Sequence, residues 1–114
     1  MAATIQSLKK NLTRDGLMLR HMNKETEGEG AFLLCSFWLV QCLALQGNLE
    51  EAARLFDELC SKANDVGLYS EEIDTESGRF LGNFPQAFTH IGLINAALEL
   101  ERARTNAVEK ADMQ

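Results

Sequence analysis

The stretch from Ala31 to Leu45 constrains the fold more than any other, because only Ser36 and Gln41 interrupt it with polar groups. It is too long for a strand and is expected to be a helix. With no polar face to turn to water, it must be surrounded by other protein on nearly all sides. Gln46-Gly47-Asn48 follows at once and places a C-terminal glycine beside an N-cap asparagine. A second helix, Leu49 to about Ala63, should therefore return antiparallel after a tight turn. Glu50 and Glu51 suit the dipole of its first turn, and Ala52, Phe56, Leu59 and Ala63 line one face against a charged remainder. That helix reads as an outer, half-solvated one.

Upstream, Ile5, Leu8 and Leu12 fall at helical spacing, which predicts a short amphipathic helix from Thr4 to about Leu12, ending near Asp15-Gly16. The apolar patch Leu17-Met18-Leu19 leads to Arg20 and a polar loop, His21 to Gly30, without periodicity. Downstream, Asn64 to Asn83 shows no helical pattern and is longer than an ordinary connector. Val66, Leu68, Tyr69, Ile73, Phe80 and Leu81 give it enough apolar content to pack, so an ordered loop is expected, with Asp74-Thr75-Glu76-Ser77-Gly78 as the turn of a small hairpin. Asn83 can cap a last helix with Pro85 in its first turn. Phe84, Phe88, Ile91 and Leu98 would form its buried face up to about Leu100. From Glu101 to Gln114 the chain turns polar, as a helical extension or a disordered tail. Residues 1–100 thus form one all-α unit followed by a polar tail, 101–114.

The net charge of -6 speaks against a nucleic-acid or anionic-membrane surface, both of which need a basic field. Cys35, Cys42 and Cys60 are odd in number and lack Cys-x-x-Cys spacing, so neither a disulfide framework nor a metal site is suggested, and no cofactor is expected. The first ten residues lack the apolar core of a signal peptide, and no apolar run reaches the roughly 20 residues that span a bilayer. A soluble, cytoplasmic protein is expected.

If the helices alternate in direction, the Gly47-Asn48 turn lies at one end and both long loops lie at the other. Arg20 and the adjacent carboxylates Glu71 and Glu72 would meet there. Taken alone, Glu71 reads as a solvated loop carboxylate, Arg20 as an ion-pair partner for Glu25 or Glu29, and His90 as a core histidine. His21 has no evident ligand partner. Phe37 and Trp38 lie inside the apolar helix and read as core, whereas Phe32, at its start, is the better candidate to stack on a ligand, with Tyr69 a weaker one.

Arg20, Gly28-Glu29-Gly30, the run Ala31 to Val40, Gly47 to Leu59, Asn64-Asp65-Val66-Gly67-Leu68 into Ser70-Glu71-Glu72-Ile73-Asp74, and Leu81 to His90 together resemble the C-terminal part of glycoside hydrolase family 15. The likeness is strongest to its bacterial glucoamylase-like and trehalase-like members. It implies a partial (α/α)6 toroid, about four of twelve helices, with Ala31–Leu45 and the last helix inside and Leu49–Ala63 outside. It also implies an inverting hydrolase of α-linked glucosides, in which an acid and a base stand about 6.5 to 9.5 Å apart. On the Ser-Glu-Glu motif the base carries over to Glu71, and Glu72 should point away, since neighbours in an extended segment face opposite sides. Arg20 matches an arginine that bonds sugar hydroxyls. The family's general acid lies ahead of anything represented here; Glu27 and Glu29 do not match it. The expected partners are the α-glucoside substrate and either the missing N-terminal segment of the toroid or a second copy.

Two other readings remain open. In one the chain is a remnant that no longer catalyses; in the other the Gly47-Asn48 turn belongs to a tetratricopeptide-like binding module, although no second copy recurs at the spacing of about 34 residues such repeats require.

Overall fold

The computed structural model describes residues 2–14, 17–19 and 30–113. Among them the chain is mostly helical. Helix α1, Ala2–Leu12, is followed by the short paired strands β1, Thr13–Arg14, and β2, Leu17–Met18. Strand β3, Ala31–Phe32, leads directly into helix α2, Leu33–Leu45, and helix α3 spans Leu49–Cys60. Strands β4, Glu72–Ile73, and β5, Phe80–Leu81, form a hairpin before helix α4, Ala87–Asp112.

Helix α2 is the centre of the packing. Leu33, Ser36, Phe37, Leu39, Val40, Leu43 and Ala44 are buried along it, as its apolar sequence requires. Trp38, read from the sequence as core, is exposed, as is Leu45, because the elements present cover only part of the helix. Its C-terminus closes as expected: Gly47 takes φ 82°, its N–H donates to Ala44, and the Asn48 N–H donates back to Leu43 at 2.9 Å. Asn48 stands at the N-cap of α3, but its side-chain amide donates to the Glu51 carboxylate at 2.8 Å rather than accepting a backbone N–H. The carboxylate is the stronger partner for that amide. Helix α3 buries Ala52, Leu55 and Leu59 and keeps its charged residues outward, as an outer helix should. Lys9 on α1 ion-pairs with Glu51, tying the first helix to the third.

Three further expectations are corrected. Ala31 and Phe32 are strand, not helix, because their backbone pairs with β4; α2 starts two residues later. Asn83 does not cap α4; its backbone is engaged by Glu71, and Gln86 takes the N-cap position instead. The face of α4 expected to be buried is the exposed one: Phe84, Phe88, Ile91 and Leu98 are all exposed. The buried face carries Thr89, Gly92, Ala96 and Leu100. Small residues win this contact because α4 crosses α2 so closely that a methyl on Gly92 would lie 2.8 Å from the Leu34 side chain and 3.3 Å from that of Phe37. Beyond Leu100 the polar tail continues as helix to Asp112, exposed except at Ala103.

The aromatic part of the core joins these elements. Phe37 of α2 meets Phe56 of α3 edge-on at 6.3 Å and the Tyr69 ring at 5.7 Å.

Candidate active site

Segments far apart in sequence converge on strand β4, the central strand of a three-stranded antiparallel sheet ordered β3-β4-β5. Ala31 pairs with Ile73 and Phe32 with Glu72 on one edge; Glu72 pairs with Leu81 and Ile73 with Phe80 on the other. The β4-β5 hairpin has the expected Asp74–Gly78 turn. The Asp74 N–H donates to the Arg79 carbonyl, the Gly78 N–H donates to the Asp74 carbonyl, and Gly78 takes φ 73°. The Ser77 hydroxyl and amide bond the Asp74 carboxylate and hold its pKa below the ordinary carboxylate value.

Glu71 immediately precedes β4 and is fixed by its backbone on both sides. Its N–H donates to the Asn83 carbonyl at 2.9 Å, and its own carbonyl accepts the Leu33 N–H at 3.1 Å. The second bond satisfies one of the donors left unpaired at the start of α2. The residue is half-buried, and its carboxylate Oε2 accepts the Asn83 N–H at 3.4 Å. Because Glu71 bonds Asn83 while Glu72 pairs with Leu81, Gly82 is left as an extra residue on β5's side, in the left-handed conformation at φ 77°. This is a bulge built on a glycine.

The expectation that Glu72 faces away from Glu71 is corrected, because the side chains curl toward the space left by a glycine. A methyl group on Gly82 would lie 2.8 Å from Oε2 of Glu71 and 3.3 Å from Oε2 of Glu72, so both carboxylates gather over the same glycine. The other oxygen of Glu72 accepts the Gly30 N–H at 3.1 Å, which links it to the end of the first long loop. Gly30 itself has no room for a side chain, since a methyl there would run into the Ile73 carbonyl. Gly82 was not read from the sequence as part of the site. The available signal was an isolated glycine within an otherwise strand-like stretch, which marks a bulge.

Phe32 lies beside this pair, half-buried and directly opposite Glu72 on β3. Arg20 lies outside the described residues. Tyr69 is corrected from a ligand contact to a core residue. It is 1 % exposed, its hydroxyl donates to the Leu59 carbonyl at 2.7 Å, and its ring is enclosed by Phe37, Phe80 and His90. Burial pushes its pKa up to about 12. A concavity of about 500 Å³ lined by Lys9, Leu39, Glu51 and Arg54, among others, shares no residue with the carboxylate site. Among the described residues no group of His, Cys, Asp or Glu could hold a metal ion, and no helix is long and apolar enough to cross a membrane.

The described residues thus form a helical scaffold that carries two gathered carboxylates on a short sheet beside the start of α2. Residues 1–98 match the model of glycosyl hydrolases family 15, and the chain belongs to that family. It is similar to a trehalase of Mycolicibacterium smegmatis, 46% identical over 92% of this chain and 16% of the relative. A trehalase of Mycobacterium tuberculosis is 48% identical over 91% of this chain and 16% of the relative. A trehalase of Thermoplasma volcanium is 41% identical over 94% and 18%. The chain thus spans less than a fifth of the length of these relatives. No solved structure matches it.

Proposed function

We propose that this chain is the C-terminal portion of an inverting glycosidase that acts on α-linked glucosides, trehalose foremost, and that Glu71 is its general base. The observation that carries the reading is the fixing of half-buried Glu71 by backbone bonds to Leu33 and Asn83, with its carboxylate over Gly82, in a chain of family 15. A base must hold its oxygen within hydrogen-bond reach of the attacking water while keeping access to solvent, and such a mounting suits both needs. In an inverting reaction the carboxylate takes a proton from water as that water attacks the anomeric carbon. An acid on the opposite side of the bond protonates the departing oxygen.

That acid belongs to an earlier part of the domain, and Arg20 and Phe32 belong to the sugar-binding side of the site. The described helices form part of an (α/α)6 toroid. The exposed side of α4, carrying Phe88, Ile91, Ile94 and Leu98, is the surface on which the remainder of the toroid packs. Ile91, Ile94 and Leu98 fall in one stripe opposite Thr89, Ala96 and Leu100, with Phe88 at its edge, as an inner helix with neighbours on both sides requires. By this reading the chain alone is inactive.

The test is a chimera in which residues 1–98 replace the matching segment of the Mycolicibacterium smegmatis trehalase. It is expected to hydrolyse trehalose, and Glu71→Gln is expected to lower kcat about 10² to 10⁴-fold. A folded, active chimera indifferent to Glu71→Gln would remove the base assignment. A folded chimera with no activity would favour a non-catalytic remnant.

A further inference from the structure

We propose that Thr89 and His90, in the first turn of α4, are positioning residues that set the Tyr69–Glu71 segment and, through it, the carboxylate of Glu71. The catalytic meaning rests on the reading of Glu71 as base; the mechanical claim does not.

The backbone just ahead of Glu71 is gripped from one direction. The Tyr69 N–H donates to Nε2 of His90 at 3.1 Å, the Tyr69 carbonyl accepts the Gln86 N–H at 3.0 Å, and the Ser70 carbonyl accepts the Thr89 hydroxyl at 2.9 Å. Thr89 and Ser70 are each 1 % exposed, so a Ser70 carbonyl deprived of that hydroxyl has no water to turn to. Two of the three bonds come from side chains, so they depend on which residues occupy positions 89 and 90. A valine at 89 would fill the same space and donate nothing. For His90, acceptance at Nε2 places the ring proton on Nδ1, because a nitrogen carrying a hydrogen has no lone pair to offer. The Tyr69 ring packs edge-on against the imidazole at 5.6 Å and holds it in that orientation.

On the far side, Glu71 is bonded to Asn83 and Leu33. The base therefore lies between two sets of restraints, one from the sheet and α2, the other from α4. Releasing one set lets the segment slide against the other. A displacement of the order of 1 Å in a catalytic group costs about a hundredfold in rate.

Two pairs of variants separate this role from plain packing: Thr89→Val against Thr89→Ser, and His90→Leu against His90→Gln, whose amide oxygen can accept in place of Nε2. In the 114-residue chain, backbone amide exchange is followed at Glu71 and across α3. Thr89→Val and His90→Leu are expected to speed exchange at Glu71 about tenfold while α3 amides stay within twofold; Thr89→Ser and His90→Gln are expected to restore most of the protection. In the trehalase chimera, Thr89→Val is expected to lower kcat at least tenfold with KM nearly unchanged, and Thr89→Ser to recover it. Exchange at Glu71 that ignores both substitutions, or that rises equally in α3, overturns the proposal, as does a serine no better than valine. If exchange responds as expected while Glu71→Gln leaves kcat intact, the brace stands and the base assignment fails.

Discussion

Asn83 holds Glu71 at both ends of that residue: its carbonyl accepts the Glu71 N–H at 2.9 Å, and its own N–H reaches Oε2 of the Glu71 side chain at 3.4 Å. The loop carrying Asn83 turns at Gly82, whose φ of 77° is open to glycine and costly to other residues. Gly82→Ala is expected to destabilise the fold by about 1–2 kcal/mol from the left-handed backbone alone. The added methyl would also press on Oε2 of Glu71. Loss of kcat in the chimera should therefore exceed what the lost stability explains, which thermal melts and kinetics on the same sample would reveal.

Glu72 stands against the same glycine but is committed to the Gly30 amide. Glutamine can still accept that N–H through its amide oxygen, though without the carboxylate's charge. Glu72→Gln is therefore expected to lower kcat less than about tenfold, against about 10² to 10⁴ for Glu71→Gln. The reverse order would transfer the role of base to Glu72.

The chain has a single tyrosine, so its ionisation can be followed by ultraviolet absorbance without interference from another. Tyr69 titrates at about 12 when folded, against 10.0 for the free side chain, because burial disfavours the phenolate. Its contribution to stability is full below pH 10 and is lost as the pH rises through about 12. A midpoint near 10 in the folded chain would contradict the buried placement. Tyr69→Phe is expected to cost about 0.5–1.5 kcal/mol through the bond to the Leu59 carbonyl.

The apolar stripe on α4 yields the fourth prediction. The 114-residue chain by itself should associate as its concentration rises, since Phe88, Ile91, Ile94 and Leu98 lie side by side in solvent. Ile91→Glu and Leu98→Glu together should suppress that association with little change in helix content, because half or more of each residue's surface is exposed. Light scattering coupled to size exclusion measures the mass directly. A monomer at all concentrations without the substitutions would sink the expectation.

The strongest patterns in the sequence are legible as structure. Ala31 to Leu45 identifies the central helix, Gly47-Asn48 its return, and Asp74 to Gly78 a hairpin turn. What escapes is information not carried by hydropathy. Two-residue strands such as Ala31–Phe32 have no period to detect. In α4 the large apolar side chains suggest the buried face, yet close approach to α2 is granted by Gly92 and Ala96. The proposal for Glu71 starts from the Ser-Glu-Glu motif, whereas the contacts around it at Gly82, Thr89 and His90 depend on segments that lie apart in the chain and have no local signal.

The position of β4 in its sheet also bears on the order of events when the chain folds. Helices α2 and α3 can dock across a turn of three residues, Gln46 to Asn48, as soon as both exist. The Glu71–Glu72 segment must wait. One contact that fixes it, from Gly30 to Glu72, closes 42 residues of chain, and another needs Asn83, downstream of the hairpin. Loop closure of that kind comes late. The acidic pair is thus assembled on a scaffold already standing, and a polypeptide that emerges from the ribosome as far as α3 carries none of it.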